Sequence, residues 1–152
     1  MNVVEEEQVE LAEEVVIAYQ EQARTFLEDH LAKFGISPEV HKVTVYPTAA
    51  TTTITGLFGM NVKCNMKFAE GNFYFQGHGS GCVGAYAGAG AGAFSRDPNT
   101  LVGDTLTCNV VAAVTQVVLT FIYQGVPVGV INFAGTPSLA GLGGVTGTFT
   151  RV

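Results

Sequence analysis

The stretch Asn61-Val62-Lys63-Cys64-Asn65-Met66-Lys67-Phe68 decides the fold. Val62, Cys64, Met66 and Phe68 occupy one parity, and Asn61, Lys63, Asn65 and Lys67 the other. Successive side chains of an extended chain point to opposite sides, so this period of two reads as a strand with one face on a core and one in water. Thr105-Leu106-Thr107-Cys108-Asn109-Val110 repeats the pattern with Thr and Asn outward. Cys64 and Cys108 therefore read as small hydrophobes on inward positions.

Working outward, the same reading predicts eight strands, near 40–46 (with an extension into 51–56), 60–68, 72–78, 82–95, 102–110, 114–123, 127–134 and 139–151. Ala69-Glu70-Gly71 and Gln124-Gly125-Val126-Pro127 are connections of hairpin length. The chain also repeats itself. Phe75-Gln76-Gly77, a glycine-rich run and Gly92-Ala93-Phe94-Ser95 are echoed by Phe133-Ala134-Gly135, Leu142-Gly143-Gly144 and Gly147-Thr148-Phe149-Thr150. Two four-stranded halves, about 40–96 and 100–152, most economically close into an antiparallel eight-stranded barrel, which leaves no open edges. A two-sheet sandwich is the alternative.

Ahead of this body, residues 5–34 read as one long amphipathic helix, the core of a segment 1–36 separate from a barrel domain at 37–152. Val9, Ala12, Val16, Tyr19, Ala23 and Phe26 follow three- and four-residue spacing, and Leu11, Val15, Leu27, Leu31 and Phe34 widen the stripe. Acids crowd its first turns, where the helix dipole favours them, and Gly35 and Pro38 mark its end. Thirty helical residues would extend ~45 Å, longer than a small barrel is tall. Either the helix breaks, or it projects past the body to a partner or to a second copy of the chain. Residues 1–34 hold nine acids against Arg24 and Lys33, whereas residues 35–152 hold four acids against five bases. The net charge of −6 on this 152-residue chain is thus a property of the helix, and the body is nearly neutral. Glu6, Glu10 and Glu13 are expected to face solvent.

Residues 82–95 carry a glycine/alanine alternation: Ala85, Ala87, Ala89, Ala91 and Ala93 share one parity, while Gly84, Gly88, Gly90 and Gly92 share the other with Tyr86 and Phe94. A bare strand face implies that something approaches it closely. A bent barrel corner, the N-terminal helix and a ligand are the three candidates. Five aromatics on these elements, Phe75, Tyr86, Phe94, Phe133 and Phe149, are the candidate contacts for the helix or for a hydrophobic ligand.

Signs of chemistry are sparse. Gly79-Ser80-Gly81-Cys82-Val83-Gly84 matches G-x-G-x-x-G by letters, but it opens a Gly/Ala alternation, not the helix a dinucleotide site needs. His30, His41 and His78 fall on different elements and show no metal-ligand spacing. His78 and Cys82 are the one Cys–His pair near in sequence, and they read as a solvated turn histidine and a buried thiol. No catalytic residue, cofactor or metal site is expected. The absence of a basic patch argues against nucleic acid. An acidic helix argues against an anionic membrane surface. The acidic N-terminus is unlike an export signal, so the expectation is a cytoplasmic protein, with a processed or signal-independent secreted form as the alternative.

The paired pattern F-x-G, glycine-rich strand, G-x-F-[S/T], in a duplicated eight-strand body, resembles the virulence-associated protein (Vap) family of bacteria. Phe75, Gln76, Gly77, Gly90 and Gly92 through Phe94 carry it in the first half; Phe133, Gly135, Gly141, Gly143, Gly144, Gly147 and Phe149 carry it in the second. It spans about 40–152. The family commonly places Trp near the end of the glycine run, and this chain has none. Its members also have a signal peptide and a flexible N-terminal region, where this chain has the acidic helix. The resemblance implies a compact barrel of two Greek-key halves, no catalytic residues, and a non-enzymatic, interaction or host-modulating role. The alternative is a barrel that holds a small hydrophobic ligand, or a cofactor-free cyclase or isomerase, with the helix as a lid.

Overall fold

A computed structural model describes residues 11–33, 44–135 and 137–152, with the side chains of 31–33 outside the description. Helix α1 (Glu13–Lys33) precedes strands β1 (Tyr46–Gly56), β2 (Met60–Phe68), β3 (Gly71–Ser80) and β4 (Val83–Phe94). A 3-10 turn (Pro98–Leu101) leads to β5 (Thr105–Ala112), β6 (Gln116–Tyr123), β7 (Val126–Ala134) and β8 (Ser138–Arg151). Antiparallel pairings run β1–β2–β3–β8–β5–β6–β7–β4 and return to β1, so the ring closes. Each run of four consecutive strands brings its last strand back beside its first, the Greek-key order. The halves join at two seams, β3–β8 and β4–β7, and β4 and β8 also pair over Val83–Ala85. The barrel, not the sandwich, is the fold.

The decisive alternation holds through all nine residues of β2, with Met60, Val62, Cys64, Met66 and Phe68 buried and the residues between them exposed. β1 occupies the predicted extension into 51–56, while residues 40–43 of the predicted 40–46 lie outside the described residues. Thr48 and Thr52 occupy inward positions, and their hydroxyls donate to the carbonyls of Lys67 and Lys63 at 2.9 and 2.8 Å. These bonds satisfy buried polar groups and let a threonine-rich segment serve as a core strand. Between β6 and β7 the turn is only Gln124-Gly125, both at positive φ (50° and 80°), which suits the twist of a two-residue hairpin. Pro127 lies inside β7 beside a register shift at Phe121/Ile122, where a missing N–H is tolerated.

The helix is shorter than predicted. Leu11 and Ala12 are not helical, and the Ala12 carbonyl accepts from Val15 and Val16 at the start of α1. Its 21 residues extend about 32 Å. The helix therefore breaks ahead of Glu13, one of the two outcomes its predicted length allowed, and α1 lies along the barrel wall. Glu13 is exposed as expected; Glu6 and Glu10 lie outside the described residues, as does His41.

Candidate functional site

All eight strands contribute to one interior core. Toward one end of it the rings of Phe68, Phe73, Phe149 and Phe94 form a closed cycle, with successive centroids 5.5, 5.5, 6.0 and 5.3 Å apart. Phe121 stacks on Phe94 at 5.3 Å, and Phe75 meets Phe121 edge-on at 5.2 Å. The interior is filled with side chains, as small barrels commonly are. The five aromatics singled out from sequence all belong to this core. Tyr86 sits at its other end against Phe133 and donates its hydroxyl to the Ala134 carbonyl. Burial, and secondarily Tyr19, pushes the Tyr86 phenol up to about 12.

The two faces of the Gly/Ala strand are occupied in the opposite sense to one of the three candidates. The glycine face of β4 turns inward. A Cβ at Gly90 or Gly92 would fall 2.2 or 1.9 Å from the carbonyl oxygens of Asn132 and Val130, so the bare face permits close approach to β7 at a tightly coiled corner. The helix instead lies on the alanine face. Ala23 and Leu27 of α1 pack on Ala93 and Val130, flanked by Val45 and Val118. Asn132 pins the seam, donating to the Tyr19 carbonyl at 3.2 Å and accepting from Gln116 at 2.9 Å. Gln20 donates to the Thr48 carbonyl at 3.4 Å. The seam therefore follows Val16, Tyr19, Gln20, Ala23 and Leu27. Phe26, placed on the buried stripe by its spacing, is instead exposed beside the His30 ring.

Where the helix begins, it leaves a cleft over the β1–β2–β3 wall. The cleft has a volume of about 700 Å³ and is lined by Leu11, Val16, Thr51, Asn65, Lys67 and Phe73, among others. Its size lies within the range of small-molecule sites, with apolar walls and a few polar groups at the rim. Sequence reasoning missed it, because Leu11 and Val16 reach it only through the angle at which α1 crosses the barrel.

The groups considered for chemistry are kept apart. His78 faces outward and hydrogen-bonds through Nδ1 to the Asn61 side chain, whereas Cys82 is buried in the core. All three thiols are free and buried, and burial pushes the Cys64 and Cys108 thiols well up, holding them as unreactive SH groups. Among the described residues no group of three or more His, Cys, Asp or Glu could hold a metal ion. No helix there is long and apolar enough to cross a membrane. The G-x-G-x-x-G letters run from the end of β3 through a turn into β4, so no helix N-terminus faces them.

No family model and no curated protein matches the chain. Among solved structures, the virulence-associated protein VapD of the intracellular pathogen Rhodococcus equi aligns with a TM-score of 0.61 at 22% identity, over 69% of this chain and 97% of VapD. The virulence-associated protein VapB of the same organism aligns at 0.55 and 21% identity, over 72% of this chain and 100% of VapB. The chain thus has the eight-stranded barrel fold of the Rhodococcus equi virulence-associated proteins, with a helix seated on its wall.

Proposed function

We propose that this chain is a non-enzymatic, host-modulating binding barrel that recognises a partner protein through the outer wall crossed by α1. The observation that carries this reading is the filled interior: the Phe68–Phe73–Phe149–Phe94 cycle occupies the space a substrate would need. Recognition then falls to the exterior, where the cleft beside α1 offers apolar walls with a few polar groups. A photo-crosslinking residue placed at Asn65, in the cleft, should capture a partner protein in cells that make the chain. The same group at Thr107, exposed on β5 across the barrel, should not. Equal capture from both positions, or none from Asn65, would remove this wall as the recognition surface.

One observation favours a second reading. The cleft could take an amphipathic ligand, with its apolar part against Leu11, Val16 and Phe73 and its polar end toward Lys67 and Asn72. The helix would then be a lid over an external site, not over the barrel's interior. Native mass spectrometry should show one bound molecule that is lost on Val16→Arg.

A further inference from the structure

The charges of the barrel are segregated along its axis. Glu70, Arg96, Asp97, Asp104 and Arg151 lie at the end where β2–β3, β4–β5 and the last strand finish. At the opposite end are the turns β1–β2, β3–β4, β5–β6 and β7–β8. Residues 54–62, 77–87, 108–120 and 133–148, which form those turns and their flanking strands, contain no Asp, Glu, Lys or Arg. This end is also where large apolar side chains stand in solvent. Phe58 is 98% exposed, Leu57 77%, Val114 81%, Leu142 72%, Val83 66% and Val111 40%.

The register makes these residues neighbours. Val111 is the direct partner of Leu142, and Val83 is that of Ala140, two residues earlier on β8. Gly56, which precedes Leu57-Phe58, pairs with Gly84 beside Val83. At those exposed fractions the six residues present on the order of 700 Å² of surface. That exceeds the ~300–600 Å² of a typical monomer's largest apolar patch and approaches the ~800 Å² each partner gives to a standard interface. The relief is also self-matching. Phe58 protrudes from the β1–β2 turn, and beside it a shallow depression of about 420 Å³ is lined by Ser80, Asn109, Val110, Val111, Leu142, Gly143 and Gly144.

We propose that this uncharged end is the surface by which two copies of the chain meet, with Phe58 of each seated in the Val111–Leu142 depression of the other. A twofold contact needs a knob and a hole on one patch, and this end has both. Electrostatics selects the same occupant. Among the described residues α1 carries Glu13, Glu14, Glu21, Glu28 and Asp29 against Arg24 and Lys33, and it packs near the other end through Leu27, Ala93 and Val45. An end-to-end contact through the uncharged turns keeps the two acidic helices far apart, while a contact through α1 would bring them together. This differs from the helix-mediated assembly expected from sequence, and it leaves the wall and cleft of the proposed recognition surface free in the dimer.

Sedimentation velocity of the full chain across about 1–200 µM should show a monomer–dimer equilibrium. Phe58→Glu, at an exposed turn, should keep the circular dichroism and melting temperature of the parent. It should weaken the dimer by roughly 30-fold or more, as loss of an interface anchor does. Ile17→Glu, on the exposed face of α1, should leave it unchanged. A chain that stays monomeric throughout overturns the proposal. So does a dimer insensitive to Phe58→Glu, or one dissolved by Ile17→Glu. Flotation of a monomeric chain with phosphatidylcholine vesicles, abolished by Phe58→Glu, would assign the end to a bilayer and equally overturn it.

Discussion

The rings of Phe94 and Phe149 lie with centroids 6.0 Å apart and planes inclined by 46°. Phe94, at the end of the first half's glycine-rich strand, also meets Phe121 of the second half, and Phe149, near the end of β8, meets Phe73 of the first, so both rings bridge the two halves. Phe94→Ala or Phe149→Ala should each cost about 3–5 kcal/mol, because the cavity lies at a seam between two halves and neither can relax into it alone. Urea denaturation followed by circular dichroism would measure this. A loss below about 1 kcal/mol would mean that the ring cycle is not a tightly packed part of the core.

Glycine positions should separate sharply by what faces them. Gly92→Ala would drive a methyl to 1.9 Å from the Val130 carbonyl oxygen, and β4 and β7 would have to part. Overpacking of this kind should cost about 1–3 kcal/mol or more. Gly144→Ala meets only the Asn109 side-chain oxygen, at 3.7 Å, on a backbone that alanine adopts freely. It should be neutral or slightly stabilising, since alanine loses less chain entropy on folding. Melting temperatures of the two variants would check the contrast.

Alkali should destabilise the fold. Burial raises the Cys64 and Cys108 thiols well above the usual thiol range, and pushes the Tyr86 phenol up to about 12. As pH rises past about 9, the unfolded chain releases these protons while the folded chain keeps them, so stability falls with pH. The fall should begin near pH 9 and approach 1.4 kcal/mol per pH unit for each group fully ionised only in the unfolded chain. The urea midpoint should be flat from about pH 6 to 8, decline above 9, and decline less steeply in Cys108→Ala. An identical slope in that variant would show that the Cys108 thiol ionises alike in both states.

Asn132 should hold the helix more than it holds the barrel. Its side chain bonds both the Tyr19 carbonyl and Gln116 from a site only 4% exposed. Asn132→Ala strands those groups and should weaken the seam by about 1–3 kcal/mol. Hydrogen exchange should speed up in residues 15–27 while the amides of β2 and β6 stay protected. Uniform acceleration across the barrel would place the role of Asn132 in the sheet.

How much of this was legible depended on which side chains carried the period. In β2, the Val62-Cys64-Met66-Phe68 row leaves one reading, and its bounds match. In β1, the inward row is Thr48, Ala50, Thr52 and Ile54; small and hydroxylated residues hide an alternation that becomes visible only through the Lys63 and Lys67 carbonyls they bond. The glycine run declared two unlike faces, but not what covered each. The helix favours the alanine face because methyl groups give Ala23 and Leu27 something to pack on. Phe26 shows the limit of periodicity: helical spacing defines a stripe, and the crossing angle on the barrel decides which edge of it is covered. The cleft and the uncharged end arise from residues distant in sequence and only meet once the ring of strands closes.

That closure has a kinetic consequence. A ribosome that has released residues 46–134 has supplied seven strands, yet β3 and β5 still wait for the same partner, β8. The last strand, Ser138–Arg151, is therefore the staple for both halves at once. Until it arrives, two strand edges and an aromatic core lie open together, the state in which chains rich in long-range pairing fold slowly and associate wrongly. A nonsense truncation in β8 should thus remove more than a terminal strand: it should leave a chain that cannot shut either half.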